Sequence, residues 1–132
     1  MDLKQFDTSV KSNEGVWSDI ISPDGTTVLI KMKLAGRDSK ILKKRQQELA
    51  KKRERKRKIS AEEEDRDVLE TAAVCTLDWA DIKEDGKLVE GKILDDGKEL
   101  PCTFENVKAV LDKYNWIAEQ VIEIIAERSN FL

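Results

Sequence analysis

The sequence contains no histidine. That removes the commonest general base, the Ser-His and Cys-His nucleophile pairs and most zinc sites together. Chemistry could then fall only to carboxylates, lysines, two cysteines and one dense basic run. The carboxylates lie in charge runs and glycine turns, where a solvated surface is the better expectation than a paired acid and base. Asp81-Ile82-Lys83-Glu84-Asp85-Gly86 and Leu94-Asp95-Asp96-Gly97 lack the alternating ligands and distal glutamate of a calcium loop, so both read as turns. Neither a GxxxxGKS/T nor a GxGxxG string occurs, and nucleotide binding has no support. Cys75 and Cys102 show no metal-type spacing and read as reduced, buried small hydrophobes. The expectation is a protein that is not an enzyme, with no cofactor, no metal and no small-molecule substrate.

The basic run is the strongest electrostatic feature. Lys51, Lys52, Arg53, Arg55, Lys56 and Arg57 could neutralise phosphates in a salt-dependent way, without reading sequence. However, no aromatic residue is interleaved for base stacking, and Glu62 to Asp65 follow at once and would repel phosphate. Nucleic acid is therefore the minor expectation, and a helix that is solvated or paired within the molecule the major one.

The elements that must position these groups follow from pattern. With 132 residues, 39% apolar and 39% charged, the chain suits a single domain with a thin core under a heavily solvated surface. Residues 1–13 mix small, polar and charged types and read as a flexible tail. Residues 15–34 form a β-hairpin around Ser22-Pro23-Asp24-Gly25, in which Val28, Ile30, Met32 and Leu34 alternate with Leu29, Lys31 and Lys33. Residues 38–79 read as a charged helical hairpin. Asp38 or Ser39 caps its first helix, which has few apolar residues (Ile41, Leu42, Leu49), and Ser60 with Glu63 makes a capping box for the second. Val68, Ala72, Cys75 and Trp79 supply the core-facing stripe of that second helix.

Glycines and Pro101 make residues 80–102 a loop, with a short hairpin of Lys92 to Leu94 against Lys98 to Leu100. Thr103 starts the C-terminal helices of 103–132. Phe104, Val107, Val110, Leu111 and Tyr114 point inward on the first, and after a break at Asn115 the second carries Ile117, Val121, Ile124 and Ile125. The predicted fold class is mainly α with a small β component (α+β). No apolar run reaches signal-peptide or membrane-span length, so a soluble cytoplasmic protein without membrane contact is expected.

Leu77-Asp78-Trp79, Asp96-Gly97-Lys98, Leu100-Pro101, Thr103-Phe104-Glu105-Asn106, Tyr114-Asn115-Trp116 and Arg128-Ser129-Asn130-Phe131 form a recognisable order. It runs from a tryptophan-containing helix end through a glycine turn and a Leu-Pro dipeptide to two short helices closing on Asn-Phe. This order, with the N-terminal hairpin followed by Leu34-Ala35-Gly36-Arg37-Asp38-Ser39, resembles the tail assembly chaperones of long-tailed, siphovirus-type bacteriophages. The resemblance implies a mainly helical protein that binds the tape-measure protein and keeps it soluble while the major tail-tube protein polymerises around it. It further implies self-association as a homo-oligomer, action in the bacterial host cytoplasm and absence from the mature virion. Trp116, Ile117, Val121, Ile124 and Phe131 are the candidate partner contacts on this reading. Two other readings stand beside it: a nucleic-acid-associated accessory protein using residues 40–58, and a minor structural or connector protein of the virion.

Overall fold

The computed structural model describes residues 1–56 and 58–132. Strands β1 (Val16–Ile21) and β2 (Val28–Leu34) form the expected hairpin. Its turn closes where Gly25 N donates to Ser22 O at 2.8 Å, and the Asp24 carboxylate accepts from Ser22 and Thr26. Alternation sends Ile30, Met32 and Leu34 into the core while Lys31 and Lys33 stay half-exposed, as a pleated strand with one wet face requires.

Downstream the chain departs from the helical expectation. The second helix of the charged hairpin stops at Val74, and β3 (Thr76–Ile82) runs antiparallel to β2 instead. Trp79 is fully buried, but on a strand. Valine-to-tryptophan spacing is compatible with a helix, yet the free edge of β2 presents a row of backbone groups that a local pattern cannot register. Pairing satisfies that edge, and Ala35 N donating to the Cys75 carbonyl at 2.8 Å marks where the switch occurs. Strand β4 (Leu88–Glu90) adds to β3, giving the order β1-β2-β3-β4. A separate hairpin, β5 (Lys92–Asp95) with β6 (Lys98–Pro101), lies where a short hairpin was expected. Its turn residues Asp96 and Gly97 have φ 51° and 76°, the pair of positive values that a two-residue turn of matching twist demands.

Among the described residues there are five α-helices: α1 (Ser9–Glu14), α2 (Lys40–Glu54), α3 (Ala61–Val74), α4 (Phe104–Lys113) and α5 (Asn115–Ala126). Ser39, Ser60 and Thr103 each accept from a backbone amide in the first turn of α2, α3 and α4. Ser60 makes its half of the capping box with Glu63 N, while the Glu63 carboxylate goes to Lys56. Ala72 and Ala73 of α3, Val107, Val110 and Leu111 of α4, and Ile117, Ala118, Val121 and Ile125 of α5 pack on Ile20, Ile30, Met32, Leu34 and Trp79 of the sheet. The Trp79 indole donates from Nε1 to the Leu100 carbonyl at 3.0 Å, tying the β5-β6 hairpin to the main sheet. Phe104, expected inside, is 41% exposed. As the first residue of α4 it precedes the turn whose later positions, Val107 and Val110, fill the interior.

The N-terminal segment is ordered, contrary to the flexible tail expected of it. Leu3–Phe6 form a 3-10 turn, and α1 packs Ser12 against Gly36 beside the second 3-10 turn, Arg128–Phe131. Among the described residues, polar ties hold it at Gly36 N to Ser12 O, Lys40 N to Asn13 Oδ1, Thr8 Oγ1 to Asp38 and Lys11 Nζ to Leu132 O. Arg128 grips the same Asp38 through both oxygens at 2.9 and 3.1 Å, and this guanidinium, with Thr8, holds the Asp38 carboxyl below its ordinary range. Segment order thus comes from a contact with the far end of the chain, which composition cannot reveal.

Candidate functional site

The structure places the predicted partner contacts mostly inside the molecule. Ile117, Val121 and Phe131 are buried, and Trp116 and Ile124 are half-buried. Ile117 and Val121 fill the main core because α5 lies across β1 and β2, and Phe131 packs beside Gly36. Gln120 locks that packing: its amide accepts from Ile21 N at 2.8 Å and donates to Ile21 O at 2.9 Å. As a partner surface the set is corrected: in this fold it belongs largely to the interior.

An open surface lies one step away. The α2-α3 hairpin is antiparallel, and the C-terminal end of α5 covers only part of its seam. Leu42, Ala72 and Ile125 belong to the apolar core there. Further along the seam Leu49 is half-buried and Val68 is 46% exposed, with Ile122 of α5 exposed at the junction. The result is a groove of about 370 Å³ whose floor is apolar and whose rim includes Arg37, Gln46, Arg53 and Thr71. Asp67 also lines it. That carboxylate is 2% exposed; one oxygen accepts from Lys52 Nζ at 3.1 Å, and the other, Oδ2, has no hydrogen-bond partner among the described residues.

Among the described residues, two cations of the basic run are engaged by its own chain. Lys52 pairs with Asp67 and Lys56 with Glu63, each at 3.1 Å, so the two pairs stand symmetrically about the Ile59-Ser60 hinge. Nearer the core, Glu70 bridges Arg45 at 3.2 Å and Lys108 of α4 at 2.9 Å, and the Lys108 hydrogen bond is the main reason its carboxyl lies below the ordinary range. Lys51, Arg53 and Arg55 are exposed, and Arg57 lies outside the described residues. The basic run beside the acidic helix is the arrangement that charge patterning predicts.

A second cleft, about 360 Å³, opens between the β-hairpins and α5 and is lined by Ile20, Ile30, Ile93 and Trp116 among others. Its polar edge is a latch: Tyr114 Oη donates to Asp95 at 2.5 Å and Lys113 Nζ lies 3.1 Å from the other Asp95 oxygen, which together lower the Asp95 pKa. With both oxygens engaged, the Asp95 carboxylate joins α4 to β5. Burial pushes both thiols up to about 11, Cys75 against the opposing field of Arg45 and Cys102 with help from Asp78. Such thiols are poor nucleophiles at neutral pH. Among the described residues no group of three or more Cys, Asp and Glu side chains is placed to hold a metal ion, and no helix is long and apolar enough to cross a membrane.

Asp67, Val68 and Ile122 were not singled out as site residues by sequence reasoning. Val68 stood on a stripe assigned to the core, and Asp67 read as one more carboxylate in an acidic run. The available signal was the symmetry of Lys52 and Asp67 about the hinge, which sets the pair face to face once the hairpin closes. No protein-family model, curated protein or solved structure matches the chain.

Proposed function

We propose that this chain is a tail assembly chaperone of a long-tailed bacteriophage, binding the tape-measure protein, keeping it soluble and helping to recruit tail-tube subunits. The motif order from Asp96 to Phe131 supports the family assignment, although Leu77-Asp78-Trp79 lies on β3 and not at a helix end, and the open groove of α2, α3 and α5 is the observation that carries the binding reading. A long helical client with extended apolar surface needs a carrier offering a matching apolar seam within a charge-dense exterior. Leu49, Val68 and Ile122 supply the seam. The charged α2-α3 arm around it supplies the exterior. Internal pairing of Lys52 and Lys56 takes up two of the cations that phosphate binding by the basic run would use. On this reading the protein acts in the host cytoplasm, self-associates and is absent from the finished virion.

Co-expression with the tape-measure protein of the same phage tests this directly. Wild-type chain should shift the tape-measure protein from the pellet to a soluble complex, and Val68→Glu, which places a charge on the open seam at an exposed position, should abolish the shift while keeping the helical circular dichroism. A tape-measure protein that stays in the pellet with wild-type chain present would overturn the proposal.

A further inference from the structure

The geometry points to Asp67 as the specificity-determining residue of the groove: its occupant is an amphipathic helix that sets an uncharged hydrogen-bond donor, Ser, Thr, Asn or Gln, within its apolar stripe. This rests on the proposed function only in taking the occupant to be a helix of a client protein. That shape follows from the way α5 ends. Ile122 and Ile125 occupy the third-helix position over one end of the α2-α3 seam, and the same seam continues past them as Leu49 and Val68. From Leu42 to Arg53 the α2 wall runs roughly 16 Å at the usual helical rise, a length that about three turns of a partner helix match.

The orphan oxygen specifies what that helix must carry. A buried acceptor without a partner is costly, and apolar surface laid over it would seal the cost in. Asp67 lines the groove, and a turn of its carboxylate toward the open side lets a donor from the occupant remove that cost. A cation is the poorer donor, because Lys52 already neutralises the carboxylate at 3.1 Å and Arg53 and Arg37 stand on the rim. A further ammonium would add desolvation and like-charge repulsion, whereas an amide or hydroxyl supplies the proton alone. The same two guanidinium groups favour acidic residues on the flanks of the occupant's stripe.

Three synthetic helical peptides of about 18 residues, with a Leu/Ala stripe, Glu flanks and Gln, Leu or Lys at one central stripe position, make the probe. Fluorescence anisotropy with wild-type protein should place Gln first, by about tenfold over Leu, the scale of one hydrogen bond to a charged group. With Asp67→Leu the order of Gln and Leu should reverse; with Asp67→Asn, which keeps the shape should the leucine variant fold poorly, the advantage of Gln should shrink. Equal binding of Gln and Leu peptides by wild type and variants overturns the role of Asp67 and leaves helix docking intact. Tightest binding of the Lys peptide overturns the uncharged-donor assignment. Failure of every peptide to bind overturns both readings. Sedimentation velocity run alongside covers the remaining occupant: peptides that fail to bind while Val68→Glu dissociates a dimer would identify a second copy of this chain and refute the client assignment.

Discussion

Replacing Gly36 by alanine tests the junction that ties the two ends of the chain together. An added Cβ would meet Ser12 Oγ at 2.4 Å and Phe131 Cγ and Cδ1 at 2.8 and 2.9 Å. Both neighbours are fully buried, so neither can swing into solvent. Overpacking of this kind costs about 1–3 kcal/mol, and simultaneous close contact with two buried side chains favours the upper half, about 2–3 kcal/mol. At an m-value of about 2 kcal/mol per molar, the urea midpoint should fall by about 1–1.5 M. Ser12 Oγ has no hydrogen-bond partner, so Ser12→Ala alone should change stability by no more than about 0.5 kcal/mol. Combined with Gly36→Ala it should recover roughly 0.5–1 kcal/mol, because the nearest clash is gone while Phe131 remains, and contacting sites are expected to couple on that scale. Chemical denaturation followed by tryptophan fluorescence gives all four corners of the cycle. A Gly36→Ala protein within about 0.5 kcal/mol of wild type, or a double variant showing no recovery, would refute the account of this junction.

Stability should decline at alkaline pH through the thiols. The folded Cys75 holds its proton up to about 11 against an ordinary 9.0. Its contribution is complete below pH 9 and is lost as the unfolded thiol ionises first, so the loss between pH 9 and 11 approaches at most about 1.4 kcal/mol per pH unit. Cys75→Ala should flatten that slope in parallel urea titrations, and superimposable slopes would contradict the assignment. Trp79→Phe should cost about 1–3 kcal/mol by leaving the Leu100 carbonyl without its donor and removing ring volume. Hydrogen exchange should show the loss concentrated in residues 92–101, and uniform exchange across the sheet would count against a tether at this point.

Much of the local structure was legible because it rests on local chemistry. Ser22-Pro23-Asp24-Gly25 carries its own turn, Ser39, Ser60 and Thr103 cap the helices that follow them, and Asp96-Gly97 closes its hairpin with backbone angles that few other pairs tolerate. The basic and acidic blocks likewise contained their own pairing. At the groove, individual ingredients could be read, such as the apolar Leu49 and Val68, but their exposure could not. A helical stripe looks the same in sequence whether another helix covers it or stops short, and α5 stops short.

The sequence alone determined which short segments could be helix or turn, that a basic run would lie beside an acidic one across the α2-α3 hinge, and the absence of histidine chemistry. Tertiary structure decided the rest: that Thr76–Ile82 is a strand, that residues 8–14 are held by Gly36 and Asp38, that Ile117, Val121 and Phe131 serve the interior, and that Asp67 keeps an unpaired oxygen beside an open seam. Each of these depends on a neighbour distant along the chain. Burial and hydrogen-bond satisfaction belong to pairs of surfaces, and a one-dimensional pattern records only one member of each pair.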